Sequence, residues 1–402
     1  MSKLALLGGT KAANALVSWP VYDQNDEKAL FDALHSGHWF RNAGTKNREF
    51  EQKFAAFSEA KFGLTVANGT VALEIPLLTL NLQPTDEVIV PPYTFYSTAA
   101  SVVNAGGKPV FSDIDSDSYN MNLDQLETLI TERTKAIIPV HFGGYPVDMD
   151  RLNAIAAKYS LFVIEDSAHA HGARYKGRRI GSLANAGTFS FQASKNLTSG
   201  EGGFITTNDE ELHLKMFARH TCGRLPDRPW YQHFGPGSNL RLSEFQAALL
   251  LSQFDRIESQ FNERQQNGRI LEEWLKQSPY FEAVQTQTEW AQDRAYHLLM
   301  FRFVPGIEGV SREKFIEALE AEGVPAMAGY PIPLYKQPAF ENFMPPIGQK
   351  PYSELNYPNV EKCCQETVWI SQNALLGSKK SSEQIIDALQ KIIDNADELR
   401  TN

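Results

Sequence analysis

Cysteine is scarce: the chain has three in 402 residues, Cys222 and the adjacent Cys363 and Cys364. None stands at CxxC spacing from another, so neither a disulfide framework nor a zinc ribbon can be built, and the chain reads as one from a reducing compartment. Positive charge is also short. Thirty-eight Lys and Arg against 48 Asp and Glu leave a net charge of −10, which offers a phosphate backbone nothing broad to bind and argues against nucleic acid as a partner. Long apolar runs are missing too. The run Leu4 to Leu7 stops at Gly8 and Gly9, short of the ~7–15 apolar residues of a signal peptide, and no stretch approaches the ~20 of a membrane span. These shortages predict a cytoplasmic protein without a membrane partner. Internal repeats and low-complexity tracts are absent as well.

What the chain does have is a series of short β-rich apolar runs separated by helix-length patterns. FGLTVAN at 62–68, EVIVP at 87–91, KPVFSDI at 108–114, KAIIPV at 135–140, LFVIED at 161–166, GTFSF at 187–191 and GFITT at 203–207 read as strands. None alternates polar with apolar, as expected of strands covered on both faces, while LDQLETLITERT and MDRLNAIAAKYS repeat apolar residues at helical intervals. The fold class is therefore α/β with a mainly parallel sheet. From Ser243 a long helical stretch, SEFQAALLLSQFDRIESQFNERQQNGRILEEWLKQ, carries no strand signal and reads as the bridge to a second unit. HLLMFRFV at 297–304 reads as a strand, and REKFIEALEAEG and SSEQIIDALQKIIDNADEL as helices. We expect a large α/β domain at 1–258, including an N-terminal arm, and a smaller α+β domain at 259–402. The Pro-rich 330–340 segment reads as loop.

In such sheets ligands gather beyond the carboxyl ends of the strands, and four of those positions carry chemistry. Asn68-Gly69-Thr70 open a helix, where unpaired N–H groups and the helix dipole make a seat for an anion or phosphate; an ordinary Asn or Thr cap would look the same. Asp166 ends LFVIED and suits a buried cation or a protonated ring nitrogen. His169 and His171 follow it, but no third ligand completes a metal spacing, and no metal is expected. Lys195 leaves a core strand for a turn rich in glycine, where desolvation lowers the pKa of an amine and makes it a nucleophile toward aldehydes. Tyr93, Phe95 and Tyr96 follow EVIVP; they suit core packing or a stacking surface for a planar ring.

An anion seat, an aromatic plate, an acid for a ring nitrogen and a buried lysine are the four requirements of pyridoxal 5'-phosphate. Their order along the chain resembles the DegT/DnrJ/EryC1/StrS sugar aminotransferases of fold type I. The resemblance covers nearly the whole length through VANGTVAL (66–73), PPYTFYSTA (91–99), VFSDID (110–115), IIPVHFGG (137–144), VIEDSAHAHG (163–172), SFQASKNLTSGEGG (190–203) and GSNLRLSEFQAAL (237–249). It implies that Lys195 forms the Schiff base, that Asp166 keeps the pyridine nitrogen protonated, and that Phe95 stacks on the ring. Gly69, Thr70 and Ser190 then hold the phosphate within the subunit. Asn239 reaches the phosphate of a neighbouring subunit, which implies a homodimer with shared sites. His169 stands where many members have glutamine near the ring hydroxyl, and Asn68 where many have serine; both still hydrogen-bond.

Within the family the chain is most similar to glutamine-dependent enzymes that aminate keto-cyclitols on aminoglycoside pathways, through GSNxxLSEFQ and Trp19-Pro20. The implied reaction moves an amino group from glutamine or glutamate to a keto-cyclitol or keto-sugar by ping-pong kinetics, with Lys195 shuttling the proton. His297, Tyr330 and YPIPLYKQP are candidates for the substrate side of the cavity. Three rivals stand beside this reading. A nucleotide-sugar aminotransferase would use Arg219, Arg224, Arg228 and Arg241 for a pyrophosphate; a sugar dehydratase would usually replace Lys195 by histidine; and a non-catalytic regulator would not need Lys195 and Asp166 together.

Overall fold

The computed structural model describes residues 3–400. A seven-stranded sheet forms its centre, built from β1 (Phe62–Val66), β2 (Glu87–Val90), β3 (Lys108–Phe111), β4 (Thr134–Ile137), β5 (Phe162–Asp166), β8 (Ala186–Ser190) and β9 (Gly203–Thr207). A separate hairpin, β6 (Arg174–Tyr175) with β7 (Arg178–Arg179), lies between β5 and β8 in the chain. The spatial order is β1-β9-β8-β5-β4-β2-β3, and β9 alone runs against its neighbours. β2, β8 and β9 are buried at every residue, the physical reason their sequences do not alternate.

The helices of this half are α1 (Gln24–His35), α2 (Lys46–Phe57), α3 (Gly69–Thr79), α4 (Ser97–Asn104), α5 (Met149–Lys158), α6 (Glu210–His220) and α7 (Glu244–Phe254). Of these, α3 is apolar on nearly every side because it is packed between β8, β9, α4 and α6. The long helical stretch read from Ser243 is two helices, α7 and α8 (Ile257–Gln277). Its break falls at Arg256, whose guanidinium is held by Asp23 at 2.8 Å and Asp26 at 2.7 Å from the start of α1. LDQLETLITERT yields only a 3-10 turn at Leu126–Leu129, since the chain must turn at Thr131 and Thr134 to enter β4.

A second, wholly antiparallel sheet comprises β10 (Glu282–Ala283), β11 (Leu298–Arg302), β12 (Ala326–Met327) and β13 (Thr367–Ser371), in the order β10-β11-β13-β12. It is covered by α8, α9 (Arg312–Ala321) and α12 (Lys380–Asp394), with the short α10 (Pro338–Glu341), α11 (Pro358–Glu366) and α13 (Ala396–Arg400) around it. Leu4 and Ala13 are buried in the same apolar cluster, and the Glu322 carboxylate accepts from Ala5 N and Ala12 N. The start of the N-terminal arm, grouped with the large domain in the sequence reading, thus packs on the small one. The two sheets share a core: Tyr93 and Phe142 from the first meet Trp369 of β13 with ring centroids 6.1 and 5.7 Å apart.

Candidate functional site

Because β1, β8, β5, β4 and β2 point the same way, the segments that follow them emerge along one edge of the sheet. Asp166, the last residue of β5, is 5% exposed. Its Oδ2 accepts from Thr98 Oγ at 2.8 Å and its Oδ1 from Ala168 N at 3.2 Å. Burial raises its pKa above the ordinary carboxylate value, opposed by those two donors and by Lys195. Thr98 sits in the first turn of α4, so the loop after β2 and the end of β5 are fastened to each other at this carboxylate.

Lys195 follows β8 in a turn closed by its own N–H to Gln192 O at 2.9 Å. The residue is half-buried, and burial of its amine lowers the pKa to about 8, with Asp166 pulling the other way. An amine so tuned is neutral in roughly a fifth of molecules near physiological pH, against about a thousandth for an ordinary lysine, and that fraction can attack a carbonyl.

Asn68 caps α3, its Oδ1 accepting from Val71 N at 3.0 Å. The ordinary cap is present, then, and it leaves the N–H groups of Gly69 and Thr70 unpaired at a positive helix end. Gly69 lies flat against Ser190: a Cβ there would come within 2.7 Å of Ser190 Cβ and 3.0 Å of its Oγ. Thr70 Oγ is 2.6 Å from Ser97 Oγ. A Cβ at Gly203 would overlap the Asn68 carbonyl oxygen, so the glycine that opens β9 is what lets this corner close.

The three aromatics after β2 separate. Tyr93 is buried in the shared core, Tyr96 leans toward Phe340 at 5.9 Å, and Phe95 is 59% exposed, an open ring face. The two histidines after β5 separate as well. His169 lies against His297, ring centroids 4.2 Å apart and planes tilted by 35°, and its Nδ1 accepts from Gly143 N at 3.3 Å, whereas His171 is packed among Phe54, Phe189 and Phe191. Burial holds His169 well below the usual imidazole pKa and His171 down to about 3, so both are neutral. Tyr330 meets Trp369 edge-to-face with ring centroids 4.9 Å apart, and burial, with the Asp166 charge, raises its phenol pKa. Within YPIPLYKQP, Tyr335 and Lys336 are engaged with Glu361. Asn239 is exposed and makes no side-chain hydrogen bond among the described residues. Of the four arginines, Arg219 is tied to Asn81, Arg241 to Thr221, and Arg224 faces the Trp230 ring; Arg228 is exposed.

Thr98 and Asn196 were not singled out from the sequence, although both lie in or beside the quoted blocks; their partners are 68 and 101 residues away. The assembled set of an amine of lowered pKa, a buried carboxylate, a pair of helix-end N–H groups beside a hydroxyl, and an open phenyl ring has the donors and acceptors to hold a phosphorylated aromatic aldehyde with a basic ring nitrogen. A cavity of about 540 Å³ near Arg174, Arg179 and Arg269 lies elsewhere. Its charges are already matched, Arg174 by Glu59 and Arg179 by Glu258.

Comparison with known proteins points the same way. A family model described as the DegT/DnrJ/EryC1/StrS aminotransferase family matches residues 21–390. A 3-amino-5-hydroxybenzoate synthase of Amycolatopsis mediterranei (strain S699) is 35% identical, over 93% of this chain and 97% of its own. The L-glutamine:2-deoxy-scyllo-inosose aminotransferase of Streptomyces paromomycinus is 34% identical over 97% of both. A crystal structure of 3-amino-5-hydroxybenzoic acid synthase superposes with a TM-score of 0.86 at 34% identity, covering 94% of this chain and 100% of the other.

Proposed function

Because the chain belongs to the DegT/DnrJ/EryC1/StrS family and is a pyridoxal-phosphate-dependent aminotransferase, we propose that it transfers the amino group of glutamine to a keto-cyclitol. The observation that carries the amino-transfer chemistry is the buried pair at the end of β5 and beyond the adjacent β8, an amine lowered to about 8 and a carboxylate raised by burial, each opposing the other's shift. The cofactor supplies an aldehyde that can carry the amino group and a ring that withdraws electrons. The chain supplies the rest. Asp166, fixed by Thr98 and Ala168, holds a proton on the ring nitrogen. Gly69, Thr70 and Ser190 anchor the phosphate, Phe95 faces the ring, and His169 donates toward its oxygen. Asn68 keeps the helix end in shape. Lys195 is the amine that binds the aldehyde and, when released, moves the proton at the donor's α-carbon.

Donor and acceptor use the one cavity in turn, which makes the kinetics ping-pong. The pair glutamine and keto-cyclitol comes from the printed activity of the Streptomyces relative. We take residues 1–258 as the cofactor-binding domain and 259–402 as the part that walls the cavity, and a reducing cytoplasm suits three free cysteines. Asn239, exposed on its own subunit, is the group offered to a partner's phosphate seat. The nucleotide keto-sugar reading keeps one supporting observation, the Arg224–Trp230 pair, in which a cation and a stacking ring stand together beside the exposed Arg228.

Purified protein reduced with borohydride should carry pyridoxyl on the Lys195 peptide; label on another lysine would reject the assignment. Single-turnover amination of a cyclitol ketone and of a nucleotide keto-sugar, each with glutamine and with glutamate, then chooses the substrate pair.

A further inference from the structure

The turn that carries Lys195 is held from outside its own sheet. Trp19 of the N-terminal arm donates its indole N–H to Ala193 O at 2.7 Å, and Gln372, just after β13, reaches Ser194 O at 3.5 Å. The third grip is on Asn196, the residue next to the lysine. Its amide nitrogen donates to Ala295 O at 2.8 Å, and its Oδ1 lies 3.0 Å from His297 Nδ1. A carbonyl can only accept, so the Ala295 bond fixes which end of the amide is which. The Asn196 oxygen therefore faces the imidazole, and His297 must carry its proton on Nδ1. His297 stands at the entry to β11, and both side chains are buried, at 6% and 3% exposure. An Asn196 oxygen left without a donor there would be costly, so the bond is not incidental.

We propose that His297 is a positioning residue for Lys195: by fixing Asn196 from the second sheet it sets where the lysine turn sits relative to Asp166. This inference rests on the reading of Lys195 as the cofactor-binding amine. The imidazole is well placed for the task because burial, with His169 and Lys195 beside it, keeps it neutral, so the Nδ1 bond does not change with pH in the working range. The His169 ring lies against it with centroids 4.2 Å apart, so the same contact reaches the segment that follows β5. The route runs from β11 to Asn196 to Lys195, and its effect is geometric.

Three substitutions separate this role from a direct one. Asn at 297 keeps a donor near the Nδ1 position, Gln carries its amide out to the Nε2 position, and Phe keeps the ring without either nitrogen. In His297→Phe we expect faster deuterium uptake in the 192–199 peptide of the cofactor-free protein. We also expect an altered visible spectrum of the lysine-linked cofactor and a donor half-reaction slowed by roughly tenfold to 10²-fold, the scale of a ~1 Å misplacement of a reacting group. His297→Asn should restore most of all three. A wild-type spectrum and rate in His297→Phe would overturn the proposal, as would rescue by Gln and not by Asn, which would mean that the Nε2 face is what matters. If His297→Phe does not fold, the Asn and Gln pair still decides. Borohydride label away from Lys195 in the wild type would defeat the reading of function, whereas the deuterium uptake of cofactor-free protein tests the clamp by itself.

Discussion

At Lys195 two forces oppose each other: burial favours the neutral amine, the Asp166 carboxylate favours the charged one, and burial wins, leaving a pKa of about 8 against an ordinary 10.5. The unfolded chain therefore binds more protons at this position between about pH 8 and 10.5, so folding stability gains from rising pH across that window and the penalty is fully present below it. For cofactor-free protein, incorporation of pyridoxal phosphate trapped by borohydride should rise about tenfold per pH unit up to about 8 and then level, because only the neutral amine attacks. A rise continuing to pH 10 would show an amine open to water. In the same protein Lys195→Ala should melt higher than wild type at pH 7, and the gap should close toward pH 10.5. Asp166 was legible as a candidate because it ends a run of core residues where an acid does not belong; Lys195, past the exposed Gln192 and Ser194, showed itself through the Gly-rich turn between two core strands. Thr98 and Asn196 were not, because a threonine in a helix turn and an asparagine in a loop acquire meaning only from partners that the fold brings to them.

The first turn of α3 does two jobs through one side chain, and substitutions at Asn68 can pull them apart. Removing the cap in Asn68→Ala should cost about 1 kcal/mol of stability in denaturant titration and weaken cofactor binding, since the Gly69 and Thr70 N–H groups lose their fixed direction. Asn68→Asp keeps an acceptor for Val71 N and should hold the stability, yet it sets a negative charge beside an anion seat and should raise the Kd for pyridoxal phosphate. Equal affinity in the Asp variant and the wild type would mean that the phosphate does not sit at this helix end. The seven strands of the large sheet were readable for the reason this turn was, local sequence under a strong constraint: short runs rich in β-branched and aromatic residues, without the polar–apolar alternation of a half-exposed strand. Elements decided by distant contacts were not. The α7–α8 break depends on Asp23 and Asp26 meeting Arg256, and β13, TVWIS, shows itself as a strand through its pairing with β11 and β12. The arm that begins the chain packs by its Leu4 on residues near the other end.

On the scale of the whole molecule, four large rings stand open to solvent in two sequence pairs: Trp39, Phe40, Trp230 and Tyr231 are 52%, 56%, 75% and 72% exposed, the kind of surface that a second copy of the chain would cover. Trp230 and Tyr231 touch with ring centroids 5.1 Å apart and planes tilted by 53°, in the segment that leads to Asn239. Two copies related by a two-fold axis would cover the same face on each, and if Asn239 crosses that axis, every site is composite. A mixing experiment tests this directly. On the proposed reading, Lys195→Ala and Asn239→Ala proteins should each be defective alone, the first for want of the amine and the second for want of a phosphate donor. In a mixed dimer with shared sites, the subunit that retains Lys195 receives Asn239 from its partner, so one of the two sites is whole. Unfolding and refolding an equimolar mixture should then return about a quarter of wild-type activity, half the dimers being mixed and each having one sound site. Activity no higher than the mean of the two parents would place Asn239 in its own subunit's site or in none.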